Sequence, residues 1–171
     1  MRNAELNAVK AAILERWREA IIATYPVEAR RYLQDNRSRF SNPIGLAVEQ
    51  ASAEVLDYIF AADGAALNCE ALIDLIRIRG VQDWTASQAV GFIDELRDII
   101  HRHLWSPVYM QGRTEVYFRW LRRLDAVELA AFDIYVAQRE KLADIRVDEF
   151  RRRYAKIIER SGKFESERVR K

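Results

Sequence analysis

Apolar residues recur at helical spacing along most of this chain. The clearest run precedes residue 105, where apolar positions are three or four residues apart: Ala89, Ile93, Leu96, Ile100 and Leu104. That spacing places them on one face of an α-helix. Only three prolines and six glycines interrupt the pattern, so strands and tight turns are scarce. The pattern predicts an all-α fold, a single compact helical domain with a long C-terminal helix.

Helix boundaries follow from breaker and capping residues. Tyr25-Pro26 ends the first helix, because proline pushes the preceding residue out of the helical region. Asn42 is a good N-cap, and Pro43 suits the first helical position. The predicted helices cover residues 4–24, 27–39, 43–60, 67–79, 85–104 and 114–158, the last as one helix or two. Residues 106–112 are predicted to form a loop, and Ser161-Gly162 to end the last helix.

The sharpest break lies between residues 79 and 85. Gly80 suits the end of one helix, where a left-handed residue is least strained without a Cβ. Thr85 and Gln88 have the spacing of a capping box at the start of the next helix. Trp84 between them is a natural core anchor. We predict that the following residues maintain the helix junctions: Asn42, Pro43, Arg79, Gln82, Asp83, Trp84, Ser87 and Gln88.

Composition and charge indicate a globular protein. Half of the 171 residues are hydrophobic and 32% are charged, with a formal net charge of +2. Residues 146–171 hold 10 Lys/Arg against 5 Asp/Glu, net +5, which leaves −3 for residues 1–145. We therefore divide the chain into a helical domain, 1–145, and a basic C-terminal helix extension with a frayed tail, 146–171. No signal peptide or membrane span is recognisable, so a cytoplasmic location is expected.

The last predicted helix changes character along its length. Its first half is apolar nearly all round, which is typical of a core helix. After Val136 the apolar positions form a narrow seam on a charged helix, which favours packing against a partner. We predict dimer or output contacts at Leu142, Ile145 and Phe150.

Several segments together resemble the N-terminal sensor domain of RsbT co-antagonist proteins, the RsbR/RsbRD-type family of bacterial stress signalling. The segments are Trp17 with Thr24-Tyr-Pro26, Phe40-Ser-Asn-Pro-Ile-Gly45, Ile76-Arg-Ile-Arg-Gly-Val-Gln-Asp-Trp84 with Ser87-Gln-Ala89, and Ala131-Phe-Asp-Ile-Tyr135. The resemblance covers residues 13–151. It implies a non-enzymatic, all-α input domain of the non-haem globin-like kind, which dimerises and has a protein partner in a signalling pathway.

The family's downstream signalling domain has no counterpart within these 171 residues. A stand-alone sensor or adaptor and a domain cut from a longer chain therefore both remain open. In either case we expect a homodimer that acts through a change in helix packing.

Catalytic and metal-binding chemistry have little support in the sequence. A globin-like helix can present a histidine to haem iron, which makes His101 and His103 candidates, but neither has a visible second ligand. Cys69 is the single cysteine, without a base beside it in sequence. We predict no catalytic residue, no metal site and no cofactor, and keep a globin-like sensor that binds haem or a small apolar ligand as the alternative.

Two further hypotheses concern ligands. Aromatic residues could line an internal apolar pocket, although a packed core is the usual role of aromatics at helical spacing. The pocket candidates are Trp17, Phe92, His103, Trp105 and Tyr135, with Trp84 beside them. The basic tail raises a second alternative, a basic adaptor that binds nucleic acid. Interleaved Asp148, Glu149 and Glu159 favour solvation or partner docking instead.

Overall fold

The computed structural model describes residues 3–34, 42–82, 84–109 and 111–169, and these residues are helical almost throughout. The helices are α1 (Asn3–Ala23), α2 (Val27–Gln34), α3 (Pro43–Phe60), α4 (Glu70–Val81), α5 (Ala86–Val90), α6 (Phe92–Leu104) and α7 (Thr114–Val169), with a π-helical turn over Trp105–Tyr109. No strand occurs within the described ranges. The predicted all-α class is confirmed, and the globin-like subtype stays a prediction.

The largest differences from the sequence-based prediction concern three boundaries. The predicted helix 85–104 is divided at Gly91 into α5 and α6. The predicted loop at 106–112 begins inside the π-helical turn. Ser161-Gly162 does not end the last helix, which continues as one element to Val169. Positions 35–39 of the predicted second helix lie outside the described residues.

The core lies between four of the longer helices and α7. α3 packs on α4, α4 packs on α7, and α1 packs on both α3 and α6. The innermost side chains are apolar and fully covered: Ile13, Ile21, Leu56, Leu75, Ile76, Ile93, Leu96, Ile100, Leu124 and Val127. Trp17 is also fully buried, and its Nε1–H donates to the Phe92 carbonyl at 2.6 Å, so the indole has its one donor satisfied.

Asn42 fastens α3 to α2. Its side-chain oxygen accepts from the Gly45 N–H at 2.8 Å, which confirms the predicted N-cap, and Pro43 begins the helix. Its side-chain nitrogen donates to the Tyr32 and Leu33 carbonyls at 2.9 and 3.1 Å. One buried amide therefore satisfies free backbone groups at the end of one helix and the start of the next.

Gly80 has a packing role rather than the predicted left-handed one. The described glycines with positive φ are Gly64 and Gly112. Gly80 lies inside α4, and a Cβ there would stand 2.8 Å from Cγ of Gln138 on α7. The absence of a side chain at this position therefore allows α4 and α7 to approach closely.

Arg123 of α7 holds the end of α3. Its guanidinium donates to four successive or neighbouring carbonyls, those of Tyr58, Ile59, Ala61 and Ala62, at 2.6–3.1 Å. Tyr58 and Ile59 lie in the last turn of α3 and Ala61 and Ala62 follow it, at the helix C-terminus, where a positive charge is favourable. One turn earlier on α7, Arg119 Nη1 donates to both carboxylate oxygens of Asp63, at 2.8 Å each. Asp63 lies in the connection between α3 and α4.

Candidate functional site

The predicted junction residue Arg79 is a fully buried cation. Its Nε donates to the Tyr25 hydroxyl at 3.3 Å, Nη1 to the Ala89 carbonyl at 3.2 Å, and Nη2 to the Thr24 hydroxyl at 3.0 Å. Its relative exposure is 0%. A buried charge is stabilised only when its polar atoms find partners, and here the partners are neutral.

Three aromatic rings surround the same guanidinium. The Arg79 Cζ lies 4.4 Å from the ring centre of Phe92, 4.7 Å from that of Trp84 and 5.1 Å from that of Tyr25. Aromatic faces attract cations at such distances. Among the described residues, no carboxylate forms an ion pair with Arg79. Burial lowers the Arg79 pKa, and Tyr25 acts against that shift.

The Arg79 cluster, defined as Arg79 with Thr24, Tyr25, Trp84 and Phe92, connects most of the helices. Thr24 and Tyr25 directly follow α1, the guanidinium comes from α4, and Phe92 begins α6. The link to α7 is a hydrogen bond of 2.6 Å from the Tyr135 hydroxyl to the Trp84 carbonyl. The cluster and the Trp84–Tyr135 hydrogen bond therefore bring residues at the end of α1, in α4, at the start of α6 and in α7 together.

The predicted capping box is present beside the cluster. The Thr85 hydroxyl accepts from the Gln88 N–H at 3.3 Å, and the Gln88 side chain accepts from the Thr85 N–H at 2.9 Å. Ser87, the third predicted polar residue here, is exposed, with its hydroxyl 3.1 Å from that of Thr85. These residues fix the start of α5.

The other predicted junction residues have separate positions. Asn42 and Pro43 belong to the α2–α3 connection described above. Gln82 follows α4, and its buried side-chain oxygen has no hydrogen-bond partner in the part of the chain that the structure describes. Asp83 lies outside the described residues.

A surface cavity of about 320 Å³ adjoins the Arg79 cluster. Its lining residues are Thr24, Trp84, Ser87, Gln88, Gly91, Phe92 and Glu95. Three of them, Thr24, Trp84 and Phe92, also contact the guanidinium. The cavity is therefore separated from the buried cation by a single layer of side chains.

The predicted aromatic pocket residues have several different neighbours in the structure. Trp17 and Phe92 pack on each other in the core, with ring centres 5.9 Å apart. Trp105 packs instead against His101, with ring centres 4.9 Å apart. Tyr135 belongs to the Trp84 contact already described. Of these predicted residues, Phe92 lines the cavity beside the Arg79 cluster, and His103 lines a different cavity of about 350 Å³.

Both histidines have hydrogen-bond partners. His101 Nδ1 is 2.8 Å from the Tyr117 hydroxyl, and His103 Nδ1 is 2.8 Å from the Ile99 carbonyl. The groove beside His103 is lined by four charged side chains: Glu15, Arg16, Glu19 and Arg102. A porphyrin needs extended apolar walls, so the residues around His103 do not fit a haem.

Cys69 is buried next to the start of α4. Burial, followed by the nearby Glu54 carboxylate, raises the pKa of the thiol to about 11. The thiol is therefore neutral near pH 7, and neutral thiols are poor nucleophiles and poor metal ligands. Among the described residues, no three His, Cys, Asp or Glu side chains gather as metal ligands.

α7 carries a line of exposed apolar side chains that we call the outer stripe. Its members are Leu129, Phe132, Val136, Val147, Phe150, Tyr154, Ile157 and Ile158, with exposures from 36% to 67%. At about 100° per residue, all eight fall within an arc of about 100°. Three members recur after 18 residues, or five helical turns: Leu129 with Val147, Phe132 with Phe150, and Val136 with Tyr154.

The three predicted contact residues lie on two faces of α7. Phe150 belongs to the outer stripe and packs on Tyr154, with ring centres 4.8 Å apart. Leu142 and Ile145 come five turns after Leu124 and Val127, so they continue the face that is buried in the domain. Ile145 is 47% exposed there.

Sequence reasoning missed the partners of the buried arginines and the outer stripe as a separate surface. The sequence marks Thr24 and Tyr25 as the end of the first helix and as part of the family resemblance, not as partners of Arg79. The outer stripe could have been predicted, because the recurrence of apolar residues after 18 positions is present in the sequence itself.

No helix within the described ranges has the length and apolar character needed to cross a membrane. Comparison with protein families gives a match over residues 11–150 to the family described as the RsbT co-antagonist protein rsbRD N-terminal domain. No curated protein matches the chain. No solved structure matches it either.

Proposed function

Because this chain belongs to the RsbT co-antagonist protein rsbRD N-terminal domain family, which implies a regulatory role in stress signalling, we propose how it acts. It is a non-enzymatic sensory or adaptor domain that forms a homodimer through the outer stripe of α7. A change in helix packing at the Arg79 cluster alters the position of α7 and is passed to a protein partner. The family supports a protein partner, since it acts with RsbT in a signalling pathway.

The outer stripe is the observation that carries the proposal. It comprises three aromatic and five aliphatic side chains, none of them more than 64% covered. A covered aromatic side chain removes roughly 150–250 Å² from water, so the whole stripe offers several hundred Å². That is of the order of the ~800 Å² that each partner contributes to a standard interface. Exposed apolar surface of this size is typical of a binding face.

The contacts between α4, the junction and α7 support the second part of the proposal. The Tyr135–Trp84 hydrogen bond and the close approach of Gly80 to Gln138 join α7 to the Arg79 cluster. A packing change of α4 against α7 would therefore shift the helix that carries the outer stripe. Such shifts between packed helices are a known means of switching between two states.

The dimer is tested by measuring the native mass over a range of protein concentrations. We expect the unaltered chain to be dimeric, and Phe150→Glu to weaken the dimer at least about tenfold, which corresponds to ~1.4 kcal/mol. The matched control is Ile145→Glu, which places the same charge on the opposite face of α7. We expect it to change the dissociation constant less than about twofold, on the scale of exposed substitutions. A monomeric unaltered chain, or equal weakening by both variants, would contradict the proposal.

We propose that this function needs no cofactor. The environment of His103 described above supports that view. An absorption spectrum of freshly purified protein provides the check, because haem gives an intense Soret band. A band in stoichiometric amount would contradict the proposal.

A further inference from the structure

The outer stripe is flanked by opposite charges along its two sides. On one side Arg139, Arg146 and Arg153 recur every seven residues, and we call them the basic flank. On the other side lie Asp133, Glu140 and Asp144, the acidic flank. At about 100° per residue, the two flanks stand roughly 40–100° to either side of the middle of the stripe. The described side chains of both flanks are exposed or half-exposed.

Two charges interrupt this arrangement, and both have ion-pair partners within the chain. Glu128 lies on the basic side and is 3.5 Å from Arg97. Arg151 lies on the acidic side and is 3.6 Å from Asp148. The asymmetry is therefore clearest between residues 133 and 146, in the middle of the stripe.

The direction of two paired helices determines which flanks meet. When two identical helices pair in parallel about a twofold axis, each flank of one helix faces the opposite flank of the other. When they pair antiparallel, each flank faces its own copy. Flanking charges are known to set partner choice and orientation in paired helices, because like charges repel at these positions.

We infer that two copies of this chain pair their outer stripes in parallel, an inference that rests on the dimer proposed above. Arg139 and Arg146 of one copy then face Glu140 and Asp144 of the other, twice over by symmetry. The antiparallel alternative places arginines against arginines and carboxylates against carboxylates. An exposed ion pair changes an equilibrium only about 1.5- to 5-fold, so preference for the parallel form comes from the sum over several pairs.

Orientation is tested by disulfide cross-linking of two variants, Val136→Cys and Tyr154→Cys. Both positions lie in the stripe, about 27 Å apart along the helix axis. Parallel pairing brings each residue next to its own copy, so each variant alone is expected to cross-link under mild oxidation. Cys69 is buried in the native fold, so it is not expected to form cross-links between copies.

Three results would overturn the inference. Cross-linking in a mixture of the two variants but in neither alone would show antiparallel pairing centred between them. Self-cross-linking at only one of the two positions would show antiparallel pairing centred there. A dimer that cross-links in no combination would exclude the stripe as the interface. A monomeric native mass would instead contradict the proposed dimer itself, so the two failures are distinguishable.

The contribution of the flanks is tested by charge reversal. We expect Arg139→Glu with Arg146→Glu to weaken the dimer at least about tenfold, because attraction becomes repulsion at several places. The matched control is Lys141→Glu with Arg152→Glu, the same change in net charge on the side of α7 away from the stripe. We expect the control to change the dissociation constant less than about twofold at 0.15 M salt.

Adding Glu140→Arg and Asp144→Arg to the first pair exchanges the charges of the two flanks between residues 139 and 146. Opposite charges again face each other in a parallel dimer, so affinity is expected to return to within about threefold of the original. Failure of this exchange to restore the dimer, or equal weakening by the control pair, would contradict a role for the flanks.

Discussion

Arg79 and Arg123 are both buried arginines, and the structure accommodates their charges in different ways. Arg79 is held by two hydroxyls, one carbonyl and three aromatic faces inside the junction. Arg123 is held by four carbonyls at the end of α3, with Tyr58 at 5.5 Å as its ring contact. Neither forms an ion pair with a carboxylate among the described residues.

The difference lies in what surrounds each cation. At Arg123 the helix end supplies partial negative charge, and residues 61 and 62 are half-exposed or exposed, so water can replace a lost donor. At Arg79 the Ala89 carbonyl belongs to a fully buried residue, and Arg79 itself is fully buried. The first arginine therefore completes a helix terminus, whereas the second is an integral part of the core.

The largest expected effect separates the two sites directly. We expect Arg79→Met to destabilise the fold by ~3 kcal/mol, because it leaves a buried carbonyl and two hydroxyls without a donor. Arg123→Met should destabilise the fold by ~1–2 kcal/mol, since water can reach the carbonyls of residues 61 and 62. Urea unfolding with unchanged m values measures both. Equal losses at the two positions would remove the distinction.

A smaller effect is expected when the charge is kept and the shape is changed. A lysine ammonium can still donate to carbonyls at a helix end, so Arg123→Lys should destabilise the fold by less than ~1 kcal/mol. Lysine lacks the planar guanidinium with which Arg79 donates to three acceptors between the aromatic rings. Arg79→Lys should therefore destabilise the fold by ~2–3 kcal/mol. Thermal unfolding of both variants against the parent provides the measurement. Full stability of Arg79→Lys would mean that charge alone is sufficient in the core.

The smallest effect concerns one hydroxyl at each site. Tyr25→Phe keeps the ring over Arg79 and removes the acceptor of its Nε, so a loss of ~1–2 kcal/mol is expected. Tyr58→Phe keeps the ring over Arg123, where the contact to the guanidinium is made by the tyrosine backbone carbonyl. A change within ~0.5 kcal/mol is expected there. Chemical denaturation of the pair tests whether the hydroxyl or the ring is the important part of the tyrosine at Arg79.

Local signals in the sequence were sufficient for the helices and most of their starts. Pro26, Asn42-Pro43 and the Thr85–Gln88 pair act through their own backbone neighbourhood, so their effect is readable from spacing alone. The split of the predicted helix at Gly91 was missed because the apolar period continues across it. The sequence predicts Gly80 as a helix-terminating residue, although its importance lies in the contact with α7, more than fifty residues away.

The candidate site was only partly predictable for the same reason. The sequence predicts Arg79 and Trp84 as junction residues, but the burial of Arg79 depends on Thr24, which follows α1, and on Phe92, which begins α6. The position of an arginine in a helical pattern does not indicate whether its charge is exposed to solvent or enclosed by aromatic rings. The sequence alone is sufficient to separate Leu142 and Ile145 from Phe150. At about 100° per residue, their spacing places them on two different faces of α7.

The length of α7 has a mechanical consequence. The helix runs for 56 residues, and its contact with α4 at Gln138 lies 31 residues before its end. At ~1.5 Å per residue, the part beyond that contact is about 46 Å long. A tilt of ~5° about the contact, within the range of small helix shifts, would move the far end by ~4 Å. Sub-ångström rearrangements beside a buried guanidinium would thus be amplified into displacements as large as a side chain.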